Sequence, residues 1–227
     1  MNPLCARLEE VYLQIAAAER LAGRAPGTVQ ILAVSKDQPA ETVKQASLCG
    51  QSEFGESYVQ EATVKIAALK DQPIDWHFIG RIQGNKAVTV AREFAWAHAI
   101  DRFRVARRLH EKRPASLPPL NICLQVNFTG EASKAGVGPK EVLPLAEQVM
   151  SLSNLRLRGL MTIGAPDLDR EAQLRAFQKV KAAYDELNQR GFMCDTLSMG
   201  MSSDFHAAIA AGATLVRLGQ VIFGVRS

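Results

Sequence analysis

Residues 29–43 read VQILAVSKDQPAETV and join a strand to a helix within one short stretch. The apolar run over 29–34 is typical of a buried strand, while Pro39 and Glu41 are typical of the first turn of a helix. Lys36 lies between the two, where a core strand has ended and a helix has not yet begun. The stretch therefore predicts a strand–helix unit with a lysine at its junction.

The same strand–helix pattern repeats along the chain. Strand-like runs lie at 29–35, 52–55, 75–80, 96–100, 120–128, 156–163, 196–200 and 214–218. Helix-like runs lie between them, near 40–49, 57–70, 85–94, 102–112, 139–152, 170–190 and 204–211. This alternation predicts a parallel sheet, and eight units in about 200 residues favour a closed (β/α)8 TIM barrel. An additional N-terminal helix is predicted from Pro3 to about Ala22.

An open doubly wound sheet is the main alternative architecture. Such a sheet usually has fewer strands and a glycine-rich first turn, and no G-x-G-x-x-G follows the first predicted strand. The sequence also contains no linker, internal repeat or low-complexity segment. We therefore expect a single α/β barrel domain over residues 1–227.

The composition is that of a globular protein: 47% of the residues are hydrophobic, 22% are charged and the net charge is +4. Lys and Arg are dense only over 101–113, DRFRVARRLHEKR, which is typical of a helix with a solvated face. A nucleic-acid-binding protein would concentrate positive charge on one surface, so the composition argues against that class. No signal peptide or membrane span is predicted, and a cytoplasmic location is expected.

The cysteine pattern gives a prediction about redox state. Cys5, Cys49, Cys123 and Cys194 are far apart along the chain and form no C-x-x-C motif. Neither a zinc site nor a dithiol redox site is expected from this spacing. We predict four reduced and mostly buried thiols.

In a barrel of this type the functional groups follow the carboxyl ends of the strands. The seventh strand leads into MGMSSDFH, with Ser202 and Ser203, and the eighth into RLGQVIFG, with Gly219. Each loop precedes a helix start, where free N–H groups and the positive end of the helix dipole attract anions. Ser before Asp is also an ordinary helix N-cap, but two such loops at these strand positions favour a phosphate site.

Lys36 and Arg217 give the predicted phosphate site a chemical context. A lysine at a barrel mouth is partly desolvated, which frees its amine as a nucleophile; the alternative is a rim lysine that reaches water or a carboxylate. Arg217 lies in the apolar run TLVRLG, where it either forms a structural ion pair or donates to the pyridine nitrogen of a cofactor. An amine and a phosphate site together are what pyridoxal 5′-phosphate (PLP) requires.

Other polar residues near the strand ends have weaker signals. His77 is expected either in the barrel core or at its mouth, and Ser133 and Lys134 belong to a loop that could cover the mouth. Glu56 and Glu61 are compatible with a solvated helix surface and are assigned no role.

Longer motifs carry a resemblance to a known family. They are LAVSK, FGESYVQE, WHFIGRIQGNK, IDR, SKAGV, LRGLMTI, LSMGMSSDFHAAIAAGATLVRLG and IFGVR, in this order from about Leu32 to Arg226. With these motifs the chain resembles the YggS/PROSC family of PLP homeostasis proteins. The resemblance implies a fold-type III PLP-binding barrel, similar to the N-terminal domain of alanine racemase.

The resemblance also implies site residues and a function. Lys36 looks like the family's Schiff-base lysine, Ser202, Ser203 and Gly219 match its phosphate-binding positions, and Arg217 matches the arginine that faces the pyridine nitrogen. The expected function is that of a monomeric carrier and regulator in vitamin B6 homeostasis, which holds PLP as an internal aldimine on Lys36. Apo PLP-dependent enzymes are the partners that such a carrier would supply.

The sequence departs from the family pattern at two positions. Ser57 replaces the usual Asn of FGENY, and its shorter side chain is not given that residue's contact with the cofactor ring. Gln220 replaces a threonine that would offer its hydroxyl to phosphate. Because the backbone N–H at this position is unaffected, we expect the phosphate site to persist.

Two alternative functions remain open from the sequence. A small amino-acid racemase of the alanine-racemase type would need a second base, a tyrosine that a partner's C-terminal domain supplies in that plan, and the chain ends after the eighth unit. Tyr12 and Tyr184 are predicted on outer helices, whereas Tyr58 could approach the mouth. A barrel that binds another phosphorylated metabolite without covalent attachment is the second alternative. No catalytic residue is assigned.

Overall fold

The computed structural model describes residues 2–128, 135–164 and 169–224, so Ser133 and Lys134 lie outside the described residues. The strands are Gln30–Val34 (β1), Glu53–Glu56 (β2), Asp75–Phe78 (β3), Trp96–Ile100 (β4), Leu120–Gln125 (β5), Leu155–Met161 (β6), Thr196–Ser198 (β7) and Leu215–Leu218 (β8). The helices are Pro3–Leu21 (α1), Ala40–Leu48 (α2), Val59–Ala68 (α3), Ala87–Glu93 (α4), Phe103–Lys112 (α5), Val142–Met150 (α6), Arg170–Gln189 (α7), Phe205–Ala210 (α8) and Gln220–Phe223 (α9). A short 3-10 turn, Pro139–Glu141, precedes α6.

The eight strands form a closed parallel barrel in sequence order. Each strand pairs with the next, and β1 pairs with β8 through a register that places Leu32 opposite Arg217. The predicted (β/α)8 barrel with an additional N-terminal helix is thereby confirmed, and the open sheet is wrong. Closure brings the carboxyl ends of β1, β7 and β8 to one region of the same barrel face, which is where the predicted site residues lie.

The main hydrophobic core lies between the barrel and the surrounding helices. It contains the apolar faces of the helices together with outward-facing strand residues such as Phe54, Phe78 and Leu160, all fully buried. The strands approach each other closely at Gly159, whose φ is +149°. A Cβ at this position would lie 1.8 Å from the Thr196 carbonyl oxygen, so a side chain there would force β6 and β7 apart.

The N-terminal helix α1 packs against the outside of the barrel and contacts α2, α8 and α9. Its buried face consists of apolar residues at helical spacing, including Leu4, Leu8, Val11 and Ile15. Arg7 Nε also donates a hydrogen bond of 2.7 Å to the Ile222 carbonyl oxygen in α9. The helix therefore holds the segment that follows the last strand against the rest of the fold.

The prediction of four reduced thiols is wrong for two cysteines. Cys5 in α1 and Cys49 at the end of α2 form a disulfide, with their Cα atoms 5.3 Å apart. Their 44-residue separation in sequence gives no hint of this pairing, which depends on how α1 packs beside α2. Cys123 and Cys194 are free and buried, as predicted.

Within the described ranges, no helix is both long enough and apolar enough to cross a bilayer. In the same residues, no group of three or more His, Cys, Asp or Glu side chains is arranged to hold a metal ion.

Candidate functional site

A cavity of about 370 Å³ opens at the carboxyl ends of the strands. Its walls come from the ends of β1, β2, β3, β6, β7 and β8. The lining residues are Val34, Lys36, Ser57, Ile79, Met161, Ile163, Met201, Ser202, Ser203, Arg217, Gly219 and Gln220. All five residues that the sequence predicted for the cofactor site are among them, together with both positions at which the chain departs from the family pattern.

Lys36 is the second residue after β1 and is half-buried at the cavity wall. The strand pairing continues to the residue before it, because Ser35 N donates to the Gly55 carbonyl oxygen at 3.0 Å. The residue after it, Asp37, has a φ of 64°, so the backbone turns sharply away from the strand direction. Lys36 is thus presented from a backbone that is fixed on both sides.

A buried polar cluster, formed by Ser35, Glu56, Glu61 and Lys65, holds this backbone in place. Lys65 Nζ in α3 donates to the Ser35 carbonyl oxygen at 2.6 Å, to Glu56 Oε1 at 2.8 Å and to Glu61 Oε1. Ser35 Oγ donates to Glu56 Oε1 at 2.6 Å, and Asp37 N donates to Glu61 Oε1 at 2.7 Å. Both neighbours of the lysine at the mouth are therefore tied to one cluster.

No role for this cluster was predicted from the sequence, and the placement of Glu56 as a solvated helix residue is wrong. Glu56 ends β2 and is fully buried. Burial raises the pKa of its carboxyl group, although Lys65 and Ser35 lower it by donating hydrogen bonds. The sequence feature from which the cluster could have been predicted is Lys65, which shares the buried face of α3 with Val59 and Ala62. A lysine on such a face requires a buried partner.

Arg217 lies in β8 and is only 5% exposed. Its Nη1 donates to both the Ser198 carbonyl oxygen and Ser198 Oγ at 2.8 Å, and its Nη2 donates to the Thr162 carbonyl oxygen at 2.7 Å. Within the described residues it forms no ion pair, so the structural ion-pair interpretation is wrong. Burial lowers the pKa of Arg217 to about 10, partly offset by the charge of Asp204. The guanidinium is a fixed cation in the cavity wall.

Behind Arg217, a chain of hydrogen bonds crosses the barrel interior. His98 Nδ1 lies 3.1 Å from Ser198 Oγ, and His98 Nε2 lies 3.0 Å from His77 Nδ1. Both histidines are fully buried, so His77 is a core residue and not a mouth residue. Burial, reinforced by the Arg217 charge, lowers the pKa of His98 to about 3. Burial likewise lowers the pKa of His77 well below its usual value, and His98 and Arg158 add to that shift.

Two arrangements of the ring protons satisfy these hydrogen bonds, because the donor and acceptor roles of each ring nitrogen depend on its tautomer. Because Arg217 donates to Ser198 Oγ, the Ser198 hydroxyl hydrogen is available for His98 Nδ1. In one arrangement His98 carries its proton on Nε2 and donates it to His77 Nδ1; in the other, His77 Nδ1 donates to His98 Nε2, and His77 Nε2, which has no partner among the described residues, carries no proton. Both imidazoles are neutral in either arrangement, because burial and the nearby Arg217 charge lower the pKa of His98 and burial lowers that of His77.

The loop between β7 and α8 supplies two serine hydroxyls to the cavity. In the part of the chain that the structure describes, neither Ser202 nor Ser203 makes a side-chain hydrogen bond to the protein. The helix N-cap is Asp204, and its carboxylate turns back to accept from Met201 N at 2.6 Å. The serines therefore do not serve as ordinary N-caps, and their hydroxyls can reach a ligand.

Gly219 allows the end of β8 to lie close to β1. A Cβ at Gly219 would be 3.1 Å from the Val34 carbonyl oxygen. The residue is also the N-cap of α9, so its neighbour Gln220 begins a helix at the cavity wall. The serine loop and this turn flank the same side of the cavity, beside the Arg217 guanidinium.

Comparison with known proteins places this geometry in a family. The family model described as "Alanine racemase, N-terminal domain" matches residues 15–227. The pyridoxal phosphate homeostasis protein of Pseudomonas aeruginosa is 50% identical over 226 residues, covering 100% of this chain and 97% of that protein. PipY of Synechococcus elongatus, whose structure has PLP bound, is 34% identical with a TM-score of 0.84, covering 97% of this chain and all of that one.

A second solved structure, an unknown protein from Bifidobacterium adolescentis, has a TM-score of 0.92 at 32% identity and covers 97% of this chain and 94% of that one. These matches span the barrel and the loops that line the cavity. The chain therefore belongs to the alanine racemase N-terminal domain family, among the pyridoxal phosphate homeostasis proteins.

Proposed function

We propose that the cavity binds PLP and that the chain acts in PLP homeostasis as a carrier and regulator. The single observation that carries the proposal is the convergence of five residues from β1, β7 and β8 on one cavity. An amine, two unengaged hydroxyls, a glycine turn and a fixed cation are the groups that an aldehyde, a phosphate and a pyridine nitrogen require. The name of the Pseudomonas relative and the PLP bound to PipY support the same cofactor.

Each residue has a distinct role in this proposal. Lys36 supplies the amine for covalent attachment of the cofactor, and the buried cluster around Lys65 keeps that amine at the wall. Ser202, Ser203 and the backbone at Gly219 hold the phosphate. Arg217 donates toward the pyridine nitrogen, which keeps that nitrogen unprotonated. When bound, PLP supplies an electron-withdrawing ring, and an arginine at the nitrogen weakens that property where a carboxylate would strengthen it.

The surroundings of the cavity favour a carrier over an amino-acid racemase. Tyr12 donates its hydroxyl to Gln51 Oε1 at 2.9 Å, and Tyr184 donates to the Cys194 carbonyl oxygen at 2.7 Å, both on outer helices as predicted. Tyr58 is 52% exposed and does not line the cavity. No tyrosine of this chain is therefore placed as a second base on the cofactor. The absence of a racemase function remains a prediction.

We further propose that residues 1–227 act as one domain, that the protein works as a monomer in the cytoplasm, and that it supplies PLP to apo PLP-dependent enzymes. The supply of apo enzymes is favoured by the open position of the cavity at the barrel mouth, from which a bound molecule can leave without passing through the core. Oligomeric state is measured by light scattering coupled to size-exclusion chromatography. Transfer of PLP is measured by the activity gained by an added apo enzyme.

The decisive experiment is chemical trapping of the cofactor. Purified protein incubated with PLP should absorb as an imine, and borohydride should fix the cofactor to Lys36, as located by peptide mass spectrometry. Lys36→Ala should abolish the adduct, whereas Lys44→Ala, which removes an exposed lysine of α2, should not. Trapping at another lysine would contradict the assignment. Exchange of the α-proton of L-amino acids in heavy water, at a rate useful to a cell, would favour the racemase instead.

A further inference from the structure

A second cavity, also of about 370 Å³, lies on the flank of the barrel between α4 and α5. One wall is the face of α5 that carries Arg102, Arg104 and Arg108, and the opposite wall is the β3–α4 connection at Gln83 and Gly84. No carboxylate lines this cavity, and it shares no lining residue with the cavity at the barrel mouth. We name it the arginine cavity.

The positive charge in the arginine cavity is poorly compensated. α5 has no acidic residue in its first turn, and Arg102 occupies its N-cap, where the helix dipole disfavours a cation. Arg102 forms an ion pair with Asp101, whose Oδ1 lies 3.5 Å from Arg102 Nε. Among the described residues, Arg104 and Arg108 form no ion pair, whereas Arg107, which does not line the cavity, pairs with Glu111 at 3.4 Å.

Arg108 also has a buried donor without a partner. Its Nε is buried and makes no hydrogen bond. The guanidinium lies against Gly84, where an added Cβ would be 3.4 Å from Arg108 Nη1. A buried N–H group on a permanent cation is normally paired, because leaving it without an acceptor destabilises the fold. No described residue supplies this acceptor, and the Arg108 side chain lines the cavity.

We propose that the arginine cavity binds the phosphate or pyrophosphate group of a small phosphorylated molecule. An oxyanion would supply the acceptor for Arg108, neutralise Arg104 and interact favourably with the start of α5. The cavity volume is within the range of small-molecule sites. A nucleic acid would require a continuous basic surface, and the Arg107–Glu111 pair interrupts the charge along α5.

The test is calorimetric titration of the PLP-saturated protein with inorganic pyrophosphate at constant ionic strength. The protein is saturated with PLP so that the proposed phosphate site at the barrel mouth is occupied. We expect saturable binding of one pyrophosphate per chain. Arg104→Gln and Arg108→Gln should each weaken it by about tenfold. The matched control Arg107→Gln removes the same charge from the same helix outside the cavity and should change the affinity by less than about twofold.

Other outcomes would overturn the proposal. They are a lack of saturation, equal weakening by all three variants, or unchanged binding in Arg104→Gln and Arg108→Gln. If Arg108→Gln does not fold, Arg104→Gln carries the test, since Arg104 is exposed. Single-stranded RNA that binds more tightly than pyrophosphate and is weakened equally by all three variants would assign the surface to nucleic acid.

Discussion

Replacing Lys65 by methionine should destabilise the protein strongly, because it removes the cation at the centre of the buried cluster. Lys65 Nζ contacts three acceptors, and one of them, the Glu56 carboxylate, is fully buried. After the substitution, Ser35 Oγ is the remaining donor to that carboxylate among the described contacts. Removing one partner of a buried ion pair typically costs about 3–5 kcal/mol. We expect a loss of this size in the free energy of unfolding.

Urea denaturation followed by circular dichroism measures this loss. Lys70→Met is the matched control, because Lys70 is an exposed lysine just beyond α3 and should change stability by less than about 0.5 kcal/mol. The double variant Glu56→Gln/Lys65→Met removes the unpaired charge as well. Its loss in free energy of unfolding should be smaller, by about 1–3 kcal/mol, than the sum of the losses in the two single variants. A loss below about 1 kcal/mol in Lys65→Met would refute the reasoning, since it would mean that the pair contributes no more than a surface ion pair.

Two further predictions concern the disulfide and the buried histidines. Reduction of Cys5–Cys49, which spans 44 residues, should lower the free energy of unfolding by about 4 kcal/mol; alkylation of four thiols in the unfolded, unreduced protein would contradict the pairing. Because the pKa of His98 is about 3 in the folded state and near 6.5 when unfolded, the unfolded state binds more protons between these values. Stability should therefore fall as the pH drops below about 6.5, by about 1.4 kcal/mol per pH unit for this group. An NMR titration of the folded protein in which the His98 resonance shifts near pH 6.5 would contradict this prediction.

The barrel could be predicted from the sequence because each strand–helix unit carries its own local signals. The apolar run before Lys36 and the repeated strand–helix alternation depend on neighbouring residues only, so the strand order follows from topology rules. The site residues were predictable for a related reason. In a closed parallel barrel, the residues after β1, β7 and β8 lie at one face whatever the details of packing.

The remaining features depend on contacts between distant segments. The Cys5–Cys49 pairing requires the position of α1 on α2, and the buried cluster requires that Lys65 of α3 reach back to the end of β1. The hydrogen-bond partners of Arg217 could not be predicted from the sequence either. Buried cations usually meet carboxylates, but this one is satisfied by carbonyl and hydroxyl oxygens of Ser198 and Thr162.

The pairing of β1 with β8 has a consequence for synthesis of the protein on the ribosome. One edge of β1 pairs early with β2, but the other edge finds its partners only in β8 and Thr214, which are made at the far end of translation. Until then the nascent chain presents an open edge of β1, which can pair with strands of other chains. We therefore expect closure of the barrel to be the slow, last step of folding.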